Sequence, residues 1–109
     1  MSRLRLKWSS DPFGEMLGTG YKRFESSVGI NGLAKLGDDR IDILAVVAES
    51  PGKGQFRKFV SASKRMWKTV VVWEDWNPVV TDALQRYGFN RISEVDGDGK
   101  RNNGMLFSR

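Results

Sequence analysis

The chain contains no cysteine and no histidine. Without cysteine there is no disulfide, no thiolate nucleophile and no cysteine-based zinc site. Without histidine, Ser-His-Asp chemistry and histidine-ligated metals are excluded. Any catalysis must use carboxylates, Tyr, Lys, Ser or Thr hydroxyls, or backbone amides, and no metal is expected. Long apolar runs are also missing. The longest, residues 43–48, is the length of a strand and far short of the ~20 residues that a membrane span needs. The start of the chain has no apolar signal-peptide core. No membrane partner is expected, and the cytoplasm is the expected location.

The length of 109 residues suits a single domain over 1–109. A chain of this size buries roughly 65% of its unfolded surface, enough for one core. Hydrophobic residues make up 39% and charged residues 28%, a globular balance. Eighteen Lys and Arg against 13 Asp and Glu leave a net charge of +5. That charge suits anionic partners or simply keeps the protein soluble.

Residues 3–8 alternate polar and apolar, which predicts a half-buried strand. Ser9-Ser10-Asp11-Pro12 is a helix-start signal. Phe13, Met16, Leu17, Tyr21 and Phe24 follow at helical spacing. Asn31-Gly32, between Val28-Gly29-Ile30 and residues 33–36, predicts a hairpin turn. Residues 40–48 read as the central strand, completing a three-stranded meander over about 27–48. The loop 49–54 is rich in turn formers. An amphipathic basic helix follows, with Phe56, Phe59, Val60 and Ser63 on one face. Residues 69–73 are a buried strand. Asn77-Pro78 opens a short helix that Gly88 ends. Strands are predicted at 89–95 and 105–107. The resulting order, β-α-β-β-β-α-β-α-β-β, implies an α/β (α+β) domain with a mostly antiparallel sheet and one parallel crossover in its middle.

The stretch from Val46 to Val60 and the stretch from Asn77 to Phe89 resemble the GNAT (GCN5-related N-acetyltransferase) superfamily. The family pattern is a hydrophobic strand, then Gln/Arg-x-x-Gly-x-Gly/Ala, then a helix. Here Gly52-Lys53-Gly54 is similar to its common Gly-Lys-Gly, and Asn77 with Gly88-Phe89 keeps its later spacing. The resemblance covers roughly 28–109. It implies a GNAT (acyl-CoA N-acyltransferase) fold whose two N-terminal helices have shrunk to one short segment. It also implies acetyl-CoA as cofactor, held by Val46, Val47, Gly52, Lys53, Gly54, Gln55, Phe56, Arg57 and Asn77. A helix N-terminus carries a partial positive charge and free amides, which suits a pyrophosphate. Glycines let the backbone approach it closely.

Three positions depart from the pattern. Pro51 stands where the family has Gln or Arg, Phe56 where it has Gly or Ala, and Leu84 where it has the Tyr that protonates the leaving thiolate. Tyr87, three residues on, is the substitute candidate. Candidate bases for the acceptor amine are Glu49 at the end of the central strand and Glu74 at the end of the next, with Asp42 and Asp75 as further carboxylates. The acceptor is an amine on a small molecule or a protein. The alternative is a non-catalytic GNAT-like binding or assembly protein that has lost the reaction. Short GNAT-like proteins of T7-like bacteriophages are loosely similar to this chain and imply that alternative, with a virion location. The chain is expected as monomer or homodimer. Trp8 and Trp76 are candidate contact residues for a protein partner. The basic helix carries no recognised nucleic-acid motif, so nucleic acid is not the expected partner.

Overall fold

The computed structural model describes residues 4–8, 20–73, 78–95 and 97–109. Their elements are β1 (Leu6–Trp8), β2 (Lys22–Ser26), β3 (Ile30–Gly37), β4 (Arg40–Ala48), α1 (Gln55–Met66), β5 (Thr69–Trp73), α2 (Pro78–Arg86), β6 (Asn90–Val95) and β7 (Arg101–Ser108). All seven strands lie in one sheet, in the order β1-β2-β3-β4-β5-β7-β6. Every neighbouring pair is antiparallel except β4 and β5, which are parallel and joined through α1. This is the mixed sheet with one central crossover that the apolar pattern predicts.

Two local expectations are corrected. The helix predicted from Phe13 onward lies mostly outside the described residues, but its end does not. Lys22–Ser26 is a strand in which Phe24 alone is fully buried. Phe24 stacks on Phe59 of α1 at 5.7 Å between ring centroids. Packing against that ring outweighs the helical spacing of Tyr21 and Phe24, and alternation wins.

The Asn31-Gly32 turn is also corrected. Both residues lie inside β3, and the chain reverses instead at Ser27, Val28 and Gly29, where Gly29 has a φ of 83°. Gly32 serves a different need. A Cβ there would overlap the carbonyl oxygen of Ala45 on β4. Glycine in a strand interior often marks such a close backbone approach or a bulge, and the bulge is adjacent. Leu33 pairs with Ala45 and Ala34 with Ile43, so Leu44 is the extra residue in β4.

The core lies on one face of the sheet. Ile41, Ile43, Val70, Val72 and Met105 point toward Phe59, Val60 and Ala62 of α1 and Leu84 of α2. β5 is buried along nearly its whole length, which matches its run of Val-Val-Val-Trp. The lower end of β5 is fastened by Asp39 in the β3–β4 turn. Asp39 adopts a left-handed φ of 53°. Its carboxylate accepts from the Lys68 amide at 3.0 Å, and its carbonyl accepts from the Thr69 amide at 3.1 Å. In the last turn of α1, just before this fastening, Lys64 donates to the carbonyl of Tyr87 and lies 4.4 Å from the Phe107 ring centroid. That contact ties the last turn of α1 to the end of α2. Among the described residues no helix is long and apolar enough to cross a membrane.

Candidate functional site

Parallel pairing of β4 with β5 runs from Arg40–Thr69 to Ile43–Val72 and then stops. Above that point β4 continues through the unpaired Leu44 to residues 45–48, which pair only with β3, while Trp73 pairs only with Gly104 of β7. The bulge at Leu44 sits at the parting point. Bulges bend a strand and raise its local twist, which here separates β4 from β5 into a V. The upper edge of β4 therefore lacks a strand partner among the described residues. Val46 is half-buried there and Val47 is 67% exposed.

The loop from β4 to α1 starts where this upper edge of β4 ends. Gly52 and Gly54 both have positive φ, 84° and 74°, and a Cβ at either would meet nothing within 4 Å. The glycines are thus required by conformation, and they leave open space above the backbone. Gly54 caps α1 without any side-chain hydrogen bond, and the first turn contains no acidic residue. The amides of a first helical turn have no partners within the helix. Lys53, Arg57 and Lys58 are exposed around them. This combination fits an anionic, phosphate-bearing ligand. Gln55 shapes the loop from within: its side chain accepts from the Ser50 amide at 2.8 Å and packs against Gly29. Phe56 turns its ring toward the core cluster instead of into the loop.

Of the expected catalytic residues, Glu49 lies at the end of β4 beside this loop. It is exposed and accepts from the Asn31 amide group at 3.2 Å. Tyr87 is not brought together with it. Tyr87 ends α2 beside Lys64, which is nine residues along α1 from its first residue, roughly 13 Å by helical rise. Leu84 is fully buried core. Glu74, Asp75, Trp76 and Asn77 lie outside the described residues.

The other face of the sheet, away from α1 and α2, holds a pocket of about 530 Å³ at the parting point. Asp42, between two core isoleucines, points into it and is only 8% exposed. Arg40 binds it through two nitrogens, at 2.5 and 3.2 Å. The Trp73 indole N–H adds a bond at 3.4 Å. Donation to the Asp42 carboxylate raises the Arg40 guanidinium above its ordinary pKa, against a smaller opposing effect of burial. Arg40 is therefore a permanent cation and Asp42 its committed partner. The signal for this pair was a charged residue inside an apolar strand, Ile41-Asp42-Ile43. Arg40 and Trp73 carried no separate signal, because only the crossover brings them to Asp42.

A comparison of the sequence with protein-family models finds no match, and neither does one with curated proteins. Solved structures do match. An acetyltransferase of Bacillus subtilis, in complex with CoA, superposes with a TM-score of 0.57 at 9% identity, covering 98% of this chain and 99% of that one. The ribosomal-protein-S18-alanine N-acetyltransferase of Escherichia coli gives a TM-score of 0.57 at 15% identity, over 93% of this chain and 77% of that one. Identities this low speak to architecture alone. The chain has the GNAT acyltransferase fold.

Proposed function

We propose that this protein is an acyl-CoA-dependent N-acyltransferase that moves an acetyl group to an amine. The carrying observation is the V between β4 and β5, with the glycine loop and the N-terminus of α1 following directly on its β4 arm. Open strand edge and free helix amides together suit a ligand with an amide-bearing arm and a pyrophosphate. Residues 52–57 would hold the pyrophosphate through their amides, with Lys53, Arg57 and Lys58 adding charge. Val46 and Val47 would offer the backbone edge of β4 to the arm. Acetyl-CoA, when bound, supplies a thioester whose carbonyl carbon accepts a nucleophile.

The chain's own part is to position an amine and remove its proton. Glu49 is the base that geometry favours. It is exposed at the mouth of the V and is held by Asn31, whereas both oxygens of Asp42 are taken by Arg40. A positioned general base contributes about 10²–10⁴-fold. Glu49→Gln should therefore lower kcat by that order while leaving CoA affinity unchanged. The distance of Tyr87 from the loop favours a second reading, in which the fold binds CoA without turnover.

Thermal unfolding with CoA and with acetyl-CoA tests the proposal. A ligand at 100 times its Kd stabilises by about 2.7 kcal/mol, a Tm rise of roughly 10 °C or more for a domain of this size. No rise at millimolar acetyl-CoA would sink both readings. A rise without acetylation of any amine in a broad panel would leave the binding scaffold.

A further inference from the structure

We propose that the pocket at the parting of β4 and β5 binds a small zwitterion, a molecule carrying both an ammonium and a carboxylate, of which a free α-amino acid is the simplest case. As the identity of the acceptor, this rests on the acetyl-transfer reading. As a binding property of the pocket, it stands separately.

The charges on the pocket walls carry the inference. The described lining contains two cations, Lys35 and Arg40, and two anions, Asp42 and Glu94. Arg40 and Asp42 satisfy one another at 2.5 Å. Lys35 and Glu94 are left, both exposed and neither in an ion pair with a described residue. The Lys35 ammonium lies 5.1 Å from the Tyr21 ring centroid, on the β3 side. Glu94 is on β6, paired in register with Asn102 of β7, which also lines the pocket. Between these walls lie β4, β5 and β7. A cation and an anion that are both outside any ion pair among the described residues thus face the same space from opposite sides, with the Arg40–Asp42 pair between them and Arg40 also within reach of the charge of Glu94.

Each simpler ligand class meets a like charge here. A polyamine or a lysine-rich peptide would meet Lys35 and Arg40. A dianion would meet Glu94. Like-charge juxtaposition is an effective way of rejecting a partner. A zwitterion finds its carboxylate opposed to Lys35 and its ammonium opposed to Glu94. The volume of about 530 Å³ lies in the range of small-molecule sites. The pocket also opens at the right place. Leu44, the bulged residue, and Trp73, the last residue of β5, are both in its wall, so it joins the V in which the thioester would lie.

The test is an NMR titration of the full chain without CoA, following the indole N–H of Trp73, assigned through Trp73→Phe. The probes are the common amino acids. For the best of them, the methyl ester, the N-acetyl derivative, spermidine and succinate are compared. An amino acid should shift Trp73 with a millimolar or tighter Kd, and the ester and N-acetyl form should bind about ten-fold more weakly or less. Lys35→Gln should abolish the preference for the acid over its ester. Glu94→Gln should abolish the preference for the free amine over its N-acetyl form. Both side chains are exposed, so the variants keep the core. The assignment is overturned if no amino acid shifts Trp73, or if spermidine, succinate or the ester binds as tightly. Stabilisation by CoA is measured on the same samples. CoA binding without amino-acid binding overturns the zwitterion alone; amino-acid binding without CoA binding overturns acetyl transfer and keeps the pocket.

Discussion

The two halves of β4 differ in what lies beside them. Residues 40–43 are paired on both sides, and Ile41 and Ile43 are almost wholly buried. Residues 45–48 are paired on one side and half exposed. The strand is continuous, and its upper half is the more apolar in sequence, since the lower half contains Arg40 and Asp42. What changes is the neighbour. The lower half is stabilised by ladder and packing, and the upper half gives up one ladder to leave an edge that a ligand can use. One strand thus serves as core and as binding surface, with a single bulged residue marking the border.

This contrast can be broken or sharpened by substitution. The largest effect is expected at the lower half. Ile43→Ala, which removes fully buried groups, should cost about 2–5 kcal/mol in denaturant unfolding. Next is the border. Gly32→Ala forces a Cβ against the backbone oxygen of Ala45, which has no side-chain freedom to yield, and should cost about 1–3 kcal/mol. It should also disturb the bulge, so CoA stabilisation should fall with it. At the loop, Gly52→Ala meets no atom but keeps a left-handed φ of 84°, at a cost of about 1–2 kcal/mol. The loop relieves that strain by changing shape, so loss of CoA binding should exceed the loss of stability. The smallest effect is at the upper half. Val47→Thr should change stability by less than about 0.5 kcal/mol. If Val47→Thr proved as costly as Ile43→Ala, the division of β4 would be wrong.

The same contrast explains what could be read from the sequence. β5 was legible as an unbroken apolar run, the two helices because their apolar residues recur at helical spacing, and the loop 49–54 because glycines interrupt two strong patterns. Asn31-Gly32 misled because glycine meets two needs with one letter. It permits positive φ in a turn, and it permits close approach of another backbone in a strand. Only the register with Ala45 tells them apart. Phe24 misled because its helical spacing from Phe13, Met16 and Leu17 competes with a short alternation, and its partner Phe59 is 35 positions away. The glycine loop was visible as a candidate anion site. The pocket was not, since Lys35, Asp42, Trp73 and Glu94 meet only through the pairing of β3 with β4, of β4 with β5, of β5 with β7, and of β7 with β6. Tyr87 is one helical turn from the expected position at Leu84, but it sits beside Lys64 in the last turn of α1, at the opposite end of that helix from the glycine loop, and sequence spacing carries no sign of that.

The fastening of β5 by Asp39 has a mechanical consequence. Asp39 closes the parallel pair at its lower end, the ladder with β4 continues to Val72, and β7 holds the other side of β5 up to Trp73. The β5 wall of the opening is therefore the stiff one. Any widening of the mouth falls to β4 beyond the bulge, which is laddered on one side only, so amide exchange should be slow along β5 and faster at residues 45–48.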